Sequence, residues 1–485
     1  MRFLFITHGV EAIERPGPHW LPLGFAYIGA LLKKHGHTVQ LFDRYAATAR
    51  LGLDGERIDQ AMLTAVKAFT PDVICLSTVS PMIYETVHCA KIIRGSFPGI
   101  MLAGGHHATA LPRVTLEKIP ELDGVGIGEG EESLLALAEG TKPVEVNGIL
   151  WRQSLGNAKD KEIQPVPETC RGRVKNIDLL PFPDFSLFDT EFYTRRTSAI
   201  IRGFHLSTLS MLGSRGCSHR CSFCTESLVY GGGVRFHSVD YIIEMIKSSL
   251  RQYPQVEGIY FHDNDFLIEP NRVELICRRF IETGLAKRFS WAVQARSDRL
   301  ESDLLRLMRQ AGCIKMEIGV EAAAQKDLDS VRKGTTVGAN ESALRRCRDA
   351  GISVHAYLLT RTAEESLTDL EVKLDWLKRN RPDTFSLHPL LRHPGSMLYK
   401  ETGARFFETQ DWTRENVLGF YAEDIFSAVV PEVRRCWMKS RFEPFSLKHQ
   451  RFARLRLNPV RRWPQMLGEA ILRRLKRPLA RFGFK

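Results

Sequence analysis

Cys217-Ser218-His219-Arg220-Cys221-Ser222-Phe223-Cys224 is the stretch on which the reading of this chain turns. Its three thiols fall in one short loop, and thiolates are soft ligands suited to iron-sulfur clusters. No fourth cysteine stands at a comparable spacing. Four irons held by three cysteines keep one iron open to a substrate or cofactor, which chemistry needs and simple electron storage does not. The alternative is a structural zinc site completed by His219 or His237. Such sites bring two ligand pairs separated by a longer loop, unlike this tight triplet. The other cysteines (Cys75, Cys89, Cys170, Cys277, Cys313, Cys347, Cys436) are scattered singly, as buried small hydrophobes in a reducing compartment are.

Working outward, strand-like runs at 208–216, 258–263, 288–295, 313–320, 351–359 and 383–390 alternate with helical periodicity at 239–253, 271–284, 301–312, 341–351 and 366–380. The C-x3-C-x2-C spacing with Phe223 before the last cysteine resembles the radical S-adenosylmethionine (radical SAM) superfamily. The strand-helix repeats match its partial (β/α)6 barrel over about residues 200–400. The resemblance implies that Cys217, Cys221 and Cys224 ligate a 4Fe-4S cluster and that the backbone at Phe223 lies against adenine. It places Asp263 and Asp265, in His262-Asp263-Asn264-Asp265, at the methionine amino group, and Gln294 and Arg296 at the same cavity. Glu321, in Gly319-Val320-Glu321, falls at the ribose and Arg332, in Arg332-Lys333-Gly334, at the methionine carboxylate. Asp263 and Asp265 could instead only cap the next helix, and Arg332 could be solvated. The fifth strand departs from the family: Leu358-Leu359-Thr360-Arg361-Thr362 stands where relatives often show a glycine-proline turn. His393-Pro394-Gly395-Ser396 resembles the usual turn after the sixth strand.

Upstream, apolar runs at 2–7, 38–43, 72–77 and 100–105 alternate with helical stretches at 23–37, about 55–69 and 82–95. Units of roughly 30 residues predict a doubly wound parallel sheet, with ligands beyond the carboxyl ends of its strands. Leu21-Pro22-Leu23-Gly24, GGHHAT at 104–109 and GIGEGEESL at 126–134 resemble the cobalamin-binding domain that precedes many radical SAM barrels. The resemblance puts Ser77, Thr78, Gly104, Gly105, His106, Thr109, Gly128 and Glu129 against the corrinoid. No Asp-x-His-x-x-Gly occurs, so it further implies no protein histidine below the cobalt. The plain alternative is that these glycine loops merely turn tightly, with His106 and His107 at the surface.

With 485 residues the chain exceeds one domain at about 150 residues each. Hydrophobic content of 44%, charged content of 26% and mean hydropathy of -0.19 describe a globular protein. No uncharged apolar run of about 18 residues exists, and the N-terminal apolar run is too short for a signal peptide; a cytoplasmic location is expected. The expected fold is α/β: a Rossmann-like cobalamin-binding domain (1–140), a linker (141–199), a TIM-type radical SAM barrel (200–400) and a helical, basic region (401–485) packing over the open barrel. The net charge of +12 sits in that tail. Residues 432–485 carry 16 Lys+Arg against 3 Asp+Glu, leaving 52 against 53 elsewhere. A neutral body argues against nucleic acid. The basic amphipathic pattern at 465–485 reads as peripheral membrane contact or as a helix docked on the body.

The resemblance implies an enzyme that uses a 4Fe-4S cluster, S-adenosylmethionine and cobalamin, fed by an electron donor such as flavodoxin or ferredoxin. Methyl transfer to an unactivated carbon, or to phosphorus, of a specialised small molecule or lipid is the leading expectation. A radical cyclase or rearrangement enzyme, and a corrinoid-binding sensor or carrier without catalysis, are the alternatives.

Overall fold

The computed structural model describes residues 1–9, 20–155, 171–361, 365–422, 429 and 431–459. The first six strands are β1 (Arg2–Ile6), β2 (Thr38–Phe42), β3 (Val73–Thr78), β4 (Ile100–Gly105), β5 (Gly124–Gly126) and β6 (Ile149–Trp151). They form one sheet ordered β2-β1-β3-β4-β5-β6. All neighbours run parallel except β6, which lies antiparallel on β5. Phe3, Leu4, Phe5 and Ile6 are all buried, as a central strand with helices on both faces requires. The helix Gly55–Phe69 illustrates why these crossovers form. Asp54 caps it by accepting the Arg57 N–H, Ile58, Met62, Val66 and Phe69 bury one face, and Thr70 ends it in the left-handed region.

The remaining strands are β7 (Thr208–Met211), β8 (Ser214–Arg215), β9 (Arg235–Phe236), β10 (Gly258–Phe261), β11 (Ser290–Ala295), β12 (Cys313–Glu321), β13 (Ser353–Thr360) and β14 (Thr384–Pro389). Six of them form a parallel sheet ordered β14-β13-β12-β11-β10-β7, while β8 and β9 pair as a small ribbon. An apolar core runs on from the helix Leu23–Lys34 into the barrel's outer layer, where Tyr27 shares a cluster with Met245 and Ile246.

Three expectations change. The run 208–216 is two strands, because Asp263 captures the Gly213 N–H at the break. The span 141–199, read as a linker, contributes β6. The region after 405 does not simply cover the barrel. Phe407, Trp412 and Phe420 join the core of the first sheet beside Leu76, Ile83 and Ala108. The helical arm 431–457 packs on the barrel, where Phe442 and Phe445 meet Phe385 of β14. At the end of this arm the Asn458 side chain accepts the His205 N–H and donates to Gly203 O, both at 2.7 Å. It thereby ties β14, one edge strand, to the segment that enters β7, the other. The basic stretch 465–485 lies outside the described residues, and no described helix is long and apolar enough to cross a membrane.

The same aromatic cluster yields a pH prediction. His107 is fully buried, edge-on to Phe407 and Trp412, with Nδ1 3.0 Å from Ser80 Oγ. Burial pushes its pKa down from 6.5 to about 3. Between those values the unfolded chain binds a proton that the native state excludes, so stability rises with pH across the window and is lost as pH falls below 6.5. The slope approaches about 1.4 kcal/mol per pH unit for one such proton. Denaturant midpoints between pH 7 and 5 should show this drop, and His107→Phe should reduce it by one proton's share, the remainder coming from His237, His355 and His393, which burial also holds low.

Candidate active site

The loops at the carboxyl ends of the first sheet and the barrel face one cavity of about 770 Å³, within the range of cofactor sites. Ser77, Thr78, Gly104, Gly105, His106, Gly128 and Glu129 line it from the sheet side. Arg215, Glu226, His262 and Asn264 line it from the barrel side. Two adjacent glycines serve it differently. A Cβ added at Gly104 meets nothing within 4 Å, so it would take up free space at the cavity wall. Gly105 has φ +126°, and a Cβ there would stand 2.5 Å from Thr78 O, a backbone atom that cannot swing aside. Gly105→Ala should therefore cost about 1–3 kcal/mol, read as a lowered melting temperature. Gly104→Ala should keep the melting temperature and lose affinity for a cavity-filling ligand.

Not every expected contact faces this space. Thr109 does not line it; its hydroxyl accepts the Gly128 N–H at 3.0 Å and braces the loop. Glu129 lines it, but its carboxylate is taken up by Arg215 and Arg235 of the ribbon at 2.8 and 2.6 Å, and accepts the Val174 N–H. The role that sequence suggested for Glu129, contact with a ligand, becomes a joint between sheet and barrel. His106 also crosses that joint, with Nε2 3.4 Å from Glu226 Oε1, two residues beyond Cys224.

The cysteine loop hangs from two backbone bonds: Ser222 N–H donates to Val331 O, and Ser222 O accepts the Leu398 N–H. Phe223 and all three cysteines are partly exposed, whereas Cys75, Cys89, Cys277, Cys313 and Cys347 are buried. Burial raises the Cys224 thiol to about 12, and the Cys221 and Cys217 charges push in the same direction. The three sulfurs thus stand near enough to feel one another. Yet among the described residues no three His, Cys, Asp or Glu side chains are placed to grip a single ion. In a 4Fe-4S cluster each cysteine thiolate would hold a different iron, so neighbouring thiols in one loop are compatible with that group.

Charged groups ring this loop. Asp265 is buried, with Oδ2 unbonded and 3.6 Å from His219 Nε2. Arg296 Nε and Nη2 pair with Asp298, while its Nη1 is buried without a partner. Asp265 and Arg296 both act on the Cys217 thiol. Glu321 sits on a bulge of β12 with φ +60°, where Lys333 Nζ meets its Oε1 at 2.8 Å. Lys333 in turn feels the Cys221 charge. Gly319 makes that approach possible, since a Cβ there would lie 2.5 Å from Glu321 Oε1.

Other expected contacts are redirected. Asp263 is fully buried and accepts from the Gly213 N–H and the Ser214 hydroxyl at 2.8 and 2.5 Å, so each of its oxygens is engaged in holding the strand break. Arg332 turns outward and pairs with Glu401 at 2.7 Å, both half-exposed. Lys333 takes the inward place, in a turn where Arg332 and Gly334 both adopt positive φ. Gln294 donates to Tyr260 Oη at 2.9 Å, deeper in the barrel.

Comparison with known families decides what this arrangement is. Residues 211–376 match the radical SAM superfamily and residues 12–138 match the B12 binding domain. This chain carries a radical SAM domain and a B12-binding domain. The family implies a 4Fe-4S cluster, S-adenosylmethionine and cobalamin as its cofactors, and a catalytic role. The chain is 25% identical over 419 residues to an uncharacterized methyltransferase, PH0819, of Pyrococcus horikoshii, covering 85% of this chain and 86% of that one. It is 26% identical over 475 residues to the anaerobic magnesium-protoporphyrin IX monomethyl ester cyclase of Rubrivivax gelatinosus, covering 93% and 80%. Its fold is that of the radical SAM methyltransferase TsrM of Kitasatospora setae, with a TM-score of 0.67 at 16% identity over 82% of this chain and 74% of that one.

Proposed function

We propose that this protein is a cobalamin-dependent radical SAM methyltransferase acting on a carbon or phosphorus centre of a small molecule. One observation carries the reading: a single cavity is walled by the glycine loops of the B12-binding unit and by Glu226, His262 and Asn264 beside the cysteine loop. A group held on one wall can therefore act on a substrate held at the other without crossing water, which is what orientation and solvent exclusion require. When bound, the cluster supplies reductive cleavage of S-adenosylmethionine to a 5'-deoxyadenosyl radical, and the corrinoid supplies a methyl carrier.

The roles assigned to the chain follow. Cys217, Cys221 and Cys224 hold the cluster. Asp265 and Arg296 offer unspent polar atoms to the amino and carboxylate groups of S-adenosylmethionine, and the Glu321–Lys333 pair offers a charged edge to its ribose. Ser77, Thr78, Gly104, Gly105 and His106 cradle the corrinoid. Residues 1–140 form the corrinoid unit and 200–400 the radical unit, with an external one-electron donor reducing the cluster.

The cyclase relative keeps a second reading in view, in which no methyl group moves. S-adenosylmethionine carrying a deuterated methyl group separates the two. Anaerobically reconstituted protein with dithionite and a small-molecule extract of its source cells should release deoxyadenosine and S-adenosylhomocysteine, and one product should gain a labelled methyl. Deoxyadenosine without label transfer would favour the cyclase reading.

A further inference from the structure

The sheet order β2-β1-β3-β4-β5 reverses direction between β1 and β3, and in such sheets this switch point is where a ligand sits over the strand ends. His8 stands just there, two residues past the end of β1, and lines the cavity. Ser77 of β3 fixes it twice. The Ser77 hydroxyl accepts the His8 backbone N–H at 2.9 Å, and the same oxygen lies 2.9 Å from Nδ1 of the ring. A hydroxyl can accept two donors, so Nδ1–H can point at Ser77 and leave the Nε2 lone pair unprotonated. Nε2 has no hydrogen bond among the described residues. An imidazole whose far nitrogen is oriented by a hydrogen bond, and whose near nitrogen is free, is the arrangement that metal-binding histidines show.

The direction of approach matters as much. Thr7, His8, Ser77 and Gly104 form the sheet side of the cavity, while Glu226 and Asn264 form the side next to the cysteine loop. A flat ring spanning the cavity would present one face to each.

We propose that His8 Nε2 is an axial ligand to cobalt, on the face turned toward the sheet, leaving the face turned toward the barrel open for methyl transfer. The ligand then comes from a lone histidine at the end of β1, outside any Asp-x-His-x-x-Gly motif, against the expectation from sequence. The inference rests on the corrinoid reading above, and the two can fail separately.

The test uses the full-length protein loaded anaerobically with cob(II)inamide, which lacks the nucleotide base that could itself coordinate. Electron paramagnetic resonance should show each resolved high-field cobalt line split into three by one nitrogen, and into two when the protein carries 15N-labelled histidine. Splitting should vanish in His8→Ala, and survive in His106→Ala and His262→Ala, the variants at the other cavity histidines. If His8→Ala retains no corrinoid, survival of the splitting in both other variants assigns it to His8. Unsplit lines in the loaded wild-type protein, or splitting that persists in His8→Ala, would overturn the assignment while leaving the methyltransferase reading intact. Failure of the wild-type protein to retain any corrinoid after desalting would overturn both.

Discussion

Alanine at any one of Cys217, Cys221 or Cys224 should reduce deoxyadenosine release to background while leaving the protein folded. The reason lies in the contrast between two sets of cysteines. The three in the loop are partly exposed and sit on a segment held by the backbone of Ser222, so removing a thiol deletes little packing. Substitutions away from packed or networked positions usually change stability by about 0.5 kcal/mol or less. Yet in the proposed cluster each thiolate would be one of three protein ligands, and its loss would release or scramble the iron. Cys277, Cys313 and Cys347 should behave in the opposite way. They are fully or almost fully buried among helices and strands of the barrel, so Cys313→Ala should lower the melting temperature and keep iron and activity. Iron and sulfide per chain, the visible absorption of the reconstituted protein, and deoxyadenosine by mass spectrometry measure both halves. An alanine variant of the loop that kept its iron and still cleaved S-adenosylmethionine would remove the cluster assignment.

Much of this architecture is legible in the chain because its signals are local. Alternating buried strands and amphipathic helices announce themselves by period, and a C-x3-C-x2-C loop needs no tertiary context. What escaped was decided over long distances or by backbone direction. β6 is three residues long and counts as a strand only because Gly124, Val125 and Gly126 are there to pair with it. Phe407 and Trp412 look like any aromatic residues that could cover a barrel. Their packing on His107 and the core of the first sheet depends on where the chain turns after β14. Arg332 and Lys333 are adjacent and equally cationic, and only the folded turn shows that Lys333 meets Glu321 while Arg332 meets Glu401. Asp263 and Asp265 look equivalent in His262-Asp263-Asn264-Asp265, but Asp263 is taken by the Gly213 N–H while Asp265 keeps an oxygen unbonded. Glycine loops tell where a ligand can approach. They do not tell that the glutamate beside them is consumed by two arginines more than 80 residues away.

That glutamate carries the second large expected effect. Glu129→Ala should cost about 3–5 kcal/mol, the range seen when one partner leaves a buried ion pair. Glu129 is almost fully buried; Oε1 meets Arg215 Nη1 at 2.8 Å, and Oε2 meets Arg235 Nη1 at 2.6 Å. Arg215 is equally enclosed and has Glu131 at 2.8 Å and the Tyr27 ring at 4.8 Å. Burial alone would raise the Glu129 carboxyl, but the bonds from Arg235 and Arg215 outweigh it and hold the group below its ordinary value of 4.5. Its contribution is therefore present above that value and disappears as pH falls through the depressed one. Removing the carboxylate takes the ionic partner from Arg235 and the acceptor from the Val174 N–H, which costs more than the pair itself is worth. Replacing both sides with apolar residues, as in Glu129→Met with Arg235→Met, should recover part of the loss, and a double-mutant cycle on denaturant midpoints measures how much. Because Glu129 and Arg215 both line the cavity where β5 meets the ribbon, Glu129→Ala should also weaken cobalamin retention. Equal stability of the single and wild-type proteins would mean that this joint is wet and adjustable, and that the cavity's two walls are held together by packing around Tyr27 and by the Arg215–Glu131 and His106–Glu226 pairs.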